Sequence, residues 1–174
     1  MTIVGADLSQ RMLEKCILRG CYNSLVLGDA VEYLNTIAPS SVDAIIAADV
    51  FIYVGDLRKV FQSSHKALKD NDSYLVFTVE ELSVDTVESI LVLLSSHPNP
   101  DPNQSKDDLT SSTVDNQTEN GFRLKDCGRF SHSERYIRKL AREIGFKFVS
   151  AEQEFIRLQS EVPVRSITFI LSKT

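Results

Sequence analysis

Three aspartates stand where apolar runs end. Asp7 follows residues 3–6, Asp29 follows Ser24–Leu27 and Gly28, and Asp49 follows VDAIIAA, residues 42–48. A carboxylate at a strand tip can accept two hydrogen bonds from a ribose, as in dinucleotide folds, where a glycine-rich loop comes about 20 residues earlier. Nothing of that kind precedes Asp7 here. Asp7 and Asp29 also suit the N-cap of a following helix, where an Asp oxygen accepts from the first unpaired amides. Asp49 ends its strand on the side where open α/β sheets bind ligands; a loop acid capping a turn is the plainer alternative. A second group, Arg129, His132 and Tyr136, gathers near the start of the last long helix. An arginine at a helix start can receive an anionic group, and a histidine can serve as general base. For His132 the plainer reading is a solvated helix start.

These residues need a scaffold, and the hydrophobic pattern supplies one. Residues 3–6 read as a strand, and residues 9–19 as a helix with Met12, Leu13, Cys16 and Ile17 at helical spacing, stopped by Gly20. Ser24–Leu27 is a short strand, and a helix from about Val31 to Ile37 ends before Pro39. VDAIIAA is apolar on almost every residue, as expected of a parallel strand buried on both faces. Leu57, Val60, Phe61 and Leu68 mark a helix, and Tyr74–Val79 another buried strand. This alternation signals a parallel α/β sheet with right-handed crossovers.

The pattern changes after Glu81. Val84, Val87, Ile90, Leu91 and Leu94 suit an amphipathic helix, whereas residues 97–120 are polar and Pro-rich and read as a flexible surface insertion. Ser131 and Glu134 look like a capping box opening a helix that buries Tyr136, Ile137, Leu140, Ala141 and Ile144 and ends at Gly145. Two strands, about Lys147–Arg157 and Val164–Ser172, close the chain, and their short link favours an antiparallel pair. The whole of residues 1–174 reads as a single domain.

The totals narrow the class. A formal charge of −5 argues against a nucleic-acid partner, and no apolar run reaches the ~20 residues of a membrane span. No leader pattern follows Met1. Cys16, Cys21 and Cys127 are odd in number and lack a CxxC spacing, so neither a disulfide framework nor a metal site is suggested. Free thiols fit an intracellular, cytoplasmic protein.

A parallel α/β sheet ending in an antiparallel strand pair resembles the class I S-adenosylmethionine-dependent methyltransferases, a Rossmann-like fold. The local words are more specific. GADLSQRMLEKC resembles that family's second strand and helix, LVLGDAVEYL its third strand, and DAIIAADVFIYVGDL its fourth strand and the loop facing the methyl group. YLVFTVEE resembles the fifth strand, and GFRLKDCGRFSHSERYIRKLAREIGF the lead into the last helix. The set is most similar to predicted methyltransferases associated with tetratricopeptide repeats. The resemblance implies S-adenosyl-L-methionine as cofactor. Asp7 would meet the ribose, Leu8 and Met12 would flank the adenine, and Asp29 and the Ala30 amide would contact its edge. Asp49 would lie beside the sulfonium, to stabilise its charge or orient a nucleophile. Phe51 and Tyr53 would wall the pocket, Arg129 and Tyr136 would face the acceptor, and His132 would be the candidate base; core packing is an equal alternative for Phe51. Glu80 and Glu81 end the fifth strand, where they either line the acceptor side or are simply solvated. The acceptor itself is not named by these words.

The family's first strand, central in its sheet, and the glycine-rich loop have no counterpart here. The sequence therefore reads as a methyltransferase domain beginning one βα unit late, with a truncated reading of the gene as the leading explanation. Without that strand, the strands bearing Asp7 and Asp49 either pair with each other or leave open apolar edges, and open edges invite a homodimer. Two other functions follow from the same residues. One is a catalytically inactive remnant acting as a binding or regulatory subunit. The other is a nicotinamide-dependent enzyme, against which Gly28-Asp29 and the antiparallel closing strands count.

Overall fold

The computed structural model describes residues 1–82, 120–159 and 162–174. Among these are eight strands and four α-helices, in the order β1 (Val4–Asp7), α1 (Gln10–Arg19), β2 (Ser24–Leu27), α2 (Ala30–Thr36), β3 (Ala44–Ala47), α3 (Arg58–Ala67), β4 (Ser73–Glu81), β5 (Phe122–Leu124), β6 (Phe130–His132), α4 (Glu134–Ile144), β7 (Phe146–Gln159) and β8 (Val162–Lys173). The local signals explain most boundaries. Ser9 caps α1 by accepting from the Met12 amide, and Gly20, at φ 65°, closes it in the left-handed conformation that glycine adopts without strain. Asp29 caps α2, and Gly145 at φ 100° closes α4. The amphipathic helix expected over residues 84–94 and the insertion expected over residues 97–120 fall almost wholly outside the described residues.

The sheet is mixed and divided. β1 and β2 form a parallel pair of their own, with Asp7 opposite Leu27. The larger sheet runs β5-β6-β4-β8-β7, with β3 also on β4. β3 lies parallel along the first half of β4, from Tyr74 to Phe77, and β6 lies parallel on Glu80 and Glu81. β8 runs antiparallel to β4, and β7 to β8, as the short link between the last two strands implies. β1 and β3 do not pair, so each keeps an unpaired edge among the described residues.

One face of the large sheet is the core. Leu75, Phe77 and Val79 of β4 stand beside Leu171, Phe169 and Ile167 of β8. Val60 and Phe61 of α3 and Ile137, Leu140 and Ala141 of α4 cover them. Phe77 is the hub: its ring meets Phe51, Phe61 and Phe169 at centroid distances of 5.2, 5.4 and 5.3 Å. The opposite face is open where β3 and β4 begin. Ile46 is 75% exposed, and Ala44 and Tyr74 are exposed beside it.

Three expectations need correction. β3 is not buried on both faces: Ile46 is left exposed on one of them, with no described element packed over it. In α1 only Leu13 is buried, while Met12 and Ile17 face outward. The N-cap of α4 is Ser133, which accepts from the Tyr136 amide at 3.2 Å; Ser131 and His132 belong to β6. Strand pairing explains the shift, since Ser131 and His132 are held opposite Glu80 and Glu81 before the chain can turn into helix.

Replacing Phe77 by Ala leaves a hole among three rings and is expected to cost about 3–5 kcal/mol. Urea unfolding should show the midpoint fall with little change in slope.

Candidate functional site

The first part of the site is the rim of β1 and β2. The Gly28 amide donates to the Asp7 carbonyl at 3.1 Å, which holds the two strand ends level and sets Asp7 beside Gly28-Asp29. One oxygen of Asp7 accepts from the Ser9 amide at 2.7 Å, forming an Asx turn ahead of the helix. The N-cap role proposed for Asp7 therefore belongs to Ser9. Asp29 does cap its helix, its Oδ1 accepting from the amides of Val31 and Glu32 at 2.8 and 3.0 Å, with Ala30 as the first helical residue. Leu8 and Met12, 74% and 45% exposed, stand next to this rim. Large apolar groups left in solvent beside a half-buried carboxylate form a fitting surface for a ring carrying a sugar.

The second part lies where β3 ends. Asp49 has φ 58°, a left-handed backbone that Asp adopts more readily than most residues. Its amide donates to Thr78 Oγ1 at 2.7 Å, so Asp49 is fastened to β4 just beyond the last β3 pairing. The hairpin β5–β6 docks immediately past that point. The guanidinium of Arg129, the last residue before β6, is held charged chiefly by Tyr53, with burial opposing and Cys127 and Asp49 contributing less. Asp49, Tyr53 and Arg129 are thus brought together. Nearby, Lys125 on the same hairpin is 2.9 Å from the buried Glu80. Burial, followed by repulsion from Arg123, lowers the ammonium pKa of Lys125, with Cys127 opposing.

The remaining candidates serve the scaffold in this structure. Phe51 is 2% exposed and packs on Phe77, taking the core role. Tyr136 turns toward the loop before α3: its hydroxyl donates to Asp56 Oδ1 and accepts from the Leu57 amide, both at 2.9 Å. Burial, and then the Asp56 carboxylate, push its phenol well above the ordinary value, with the Leu57 bond opposing. His132 is fully buried, and its Nε2 lies 2.9 Å from the Gly55 carbonyl. A solvated helix start does not describe it. Glu81 is also partly buried, its Oε1 accepting from Gln153 Nε2 at 2.9 Å. Thr78 and Gly55 were missed by sequence reasoning. Thr78 carried one signal, a hydroxyl inside the apolar run YLVFTV. Gly55 carried none: a Cβ there would lie 2.8 Å from the Phe130 ring, a closeness only the fold reveals.

Comparison with known proteins fits this geometry. Residues 1–77 match the family model described as a methyltransferase domain. A search of curated proteins finds no match. An S-adenosylmethionine-dependent methyltransferase from Methanosarcina mazei superposes with a TM-score of 0.64 at 14% identity, over 99% of this chain and 82% of that one. A second from Archaeoglobus fulgidus gives 0.56 at 13% identity, over 98% and 75%. Magnesium protoporphyrin IX methyltransferase from Synechocystis, solved with S-adenosylhomocysteine, gives 0.55 at 13% identity, over 99% and 64%. The fold is therefore that of the class I S-adenosylmethionine-dependent methyltransferases. The family match itself rests on residues 1–77, the part that bears Asp7, Asp29 and Asp49.

Asp29→Ala removes the cap from two amides and should destabilise the chain by about 1–2 kcal/mol, measurable by urea unfolding.

Proposed function

We propose that this protein is a methyltransferase-type enzyme that holds S-adenosyl-L-methionine along the strand ends and transfers its methyl group to an acceptor at the β3 end. The observation that carries this reading is the rim itself. Asp7 and Asp29 end adjacent parallel strands, beside exposed Leu8 and Met12, in the segment with the family match. These residues fit the sugar and base of the cofactor. Asp7 would accept from the ribose hydroxyls, Asp29 and the Ala30 amide would meet the adenine edge, and Leu8 and Met12 would flank its ring. When bound, the cofactor supplies a methyl carbon already activated by its sulfonium. The chain's task is then to align the acceptor and exclude water. Asp49 would face the positive charge, and Tyr53 and Arg129 would hold the acceptor. A guanidinium beside a phenol favours an acceptor with an anionic group.

No described helix is long and apolar enough to cross a membrane. The free thiols Cys16 and Cys21 support an intracellular, cytoplasmic setting.

A second reading, an inactive binding or regulatory subunit, is favoured by the divided sheet, which interrupts the line of strands between Asp7 and Asp49. Calorimetry separates the two. S-adenosylhomocysteine should bind with micromolar affinity, and Asp7→Ala should abolish the heat. No heat at millimolar ligand would instead leave the second reading standing.

The open edges of β1 and β3, with Val4, Ile17, Leu18 and Ile46 exposed, also support association into a homodimer. Sedimentation velocity should show a concentration-dependent dimer; a monomer that persists as concentration rises would count against it.

A further inference from the structure

We infer that His132 is a positioning residue, whose imidazole pins the loop of residues 50–57 and so fixes Tyr53 and Asp49 at the acceptor side. It deepens the proposed function in one respect, the claim that this loop faces the acceptor. The pin itself stands on geometry alone.

A carbonyl can only accept, so Nε2 of His132 must carry the proton that it shares with Gly55 across 2.9 Å. The other nitrogen, Nδ1, is buried and has no hydrogen-bond partner among the described residues. Gly55 lies close under the rings of Phe130 and Phe122, where a Cβ would meet them at 2.8 and 3.1 Å. Tyr136 holds the next two residues through Asp56 and the Leu57 amide, and Thr78 holds Asp49 at the far end. Between these fixed points lies the single 3₁₀ turn Phe51–Tyr53, which presents Tyr53 to solvent with 60% of its surface exposed. His132 is thus the central of three fastenings, and the one that can titrate near neutral pH.

The surroundings of His132 set the direction of that titration. From β5 the Phe122 ring lies 6.0 Å away, with Arg123 next in the chain, and from α4 the Tyr136 ring stacks at 6.0 Å. On β4 the register neighbour is Glu81, whose Oε1 is occupied by Gln153 of β7. From the loop come the carbonyls of Val54 and Gly55, with Asp56 bound to Tyr136; at the start of α3, Arg58 is paired with Glu143. Burial lowers the proton affinity of His132, and the two carbonyls oppose it less strongly. Burial therefore makes the pinned state favour the neutral ring. That state is fully favoured above the ordinary histidine value of about 6.5. Below that value a released ring, reaching water, takes the proton more readily than the pinned one, so opening of the loop grows more favourable as pH falls.

Amide hydrogen exchange of the whole chain tests this without any methyl transfer, so a failed pin and a failed methyltransferase reading give separate signs. The reporters are the amides of Tyr53, Val54 and Leu57, with β4 and β8 as the control for global unfolding. After correction for intrinsic rates, protection of the reporters in the wild type should fall about tenfold more than that of the control strands between pH 7.5 and 5.5. In His132→Gln, whose side-chain amide can still donate to Gly55 but cannot gain a charge, protection should persist at both pH values. In His132→Ala it should be lost at both. Loop protection that is unchanged with pH in the wild type would overturn the inference. So would a His132→Gln protein that responds to pH as the wild type does. Should His132→Ala fail to fold, the other two proteins still decide.

Discussion

One edge of β4 is shared by two partners, and the site follows from that division. β3 occupies the edge as far as Phe77, and β6 takes it up again at Glu80. Thr78 falls between the two pairings, and its hydroxyl is free to take the amide of Asp49. The chain leaving β3 must therefore pass directly under the β5–β6 hairpin. This is why Arg129 meets Tyr53 and why His132 and Tyr136 reach residues 55–57. Were β3 to run the full length of β4, there would be no place on that edge for the hairpin. The aromatic cluster around Phe77 holds β4 itself in place, so core packing and site geometry share one strand.

Much of this was legible because local chemistry and long-range structure agree. Gly20 and Gly145 stop their helices where the sequence says they should, and β2 has the bounds its apolar run suggests. Asp7, Asp29 and Asp49 were found at strand ends because an acid after an apolar run is a strong contrast in one dimension. The hairpin was not legible: β5 and β6 have three residues each, too short for a period of two to show. The same shortness made Ser131 pass for a helix cap, when its pairing to β4 outweighs the local signal. Burial was the other blind point. An apolar run such as AIIA says that a strand can be covered on both faces, not that covering elements are present. His132 was hidden for the opposite reason. Polar residues around it suggested solvent, while Phe122 and Tyr136 enclose it from positions that only folding brings near.

The ion pairs around the hairpin and the last helix differ in exposure. Arg58–Glu143 and Arg138–Glu134 lie on the surface, where such pairs contribute little to stability. Lys125–Glu80 differs, because its carboxylate is fully buried while the lysine stays partly exposed. The hairpin is thereby tied to β4 by electrostatics as well as by its ladder. Its cationic residues Arg123, Lys125 and Arg129 belong to a chain that is acidic overall.

The separation of the β1–β2 pair from the larger sheet has a mechanical consequence. With β1 and β3 not paired to each other, a prominent join between the two parts among the described residues is the packing of α2 on α3, where Ser63 Oγ donates to Asn35 Oδ1 at 2.9 Å. A seam of side chains yields at lower free energy than a ladder of backbone bonds, because its contacts can be lost a few at a time. Among the described residues, residues 1–36 are joined to the rest by side-chain packing, Val31 on the core and Asn35 on Ser63, and not by strand pairing. Any ligand touching both Asp7 and Asp49 would act as a brace across that joint, adding stiffness the bare chain does not have.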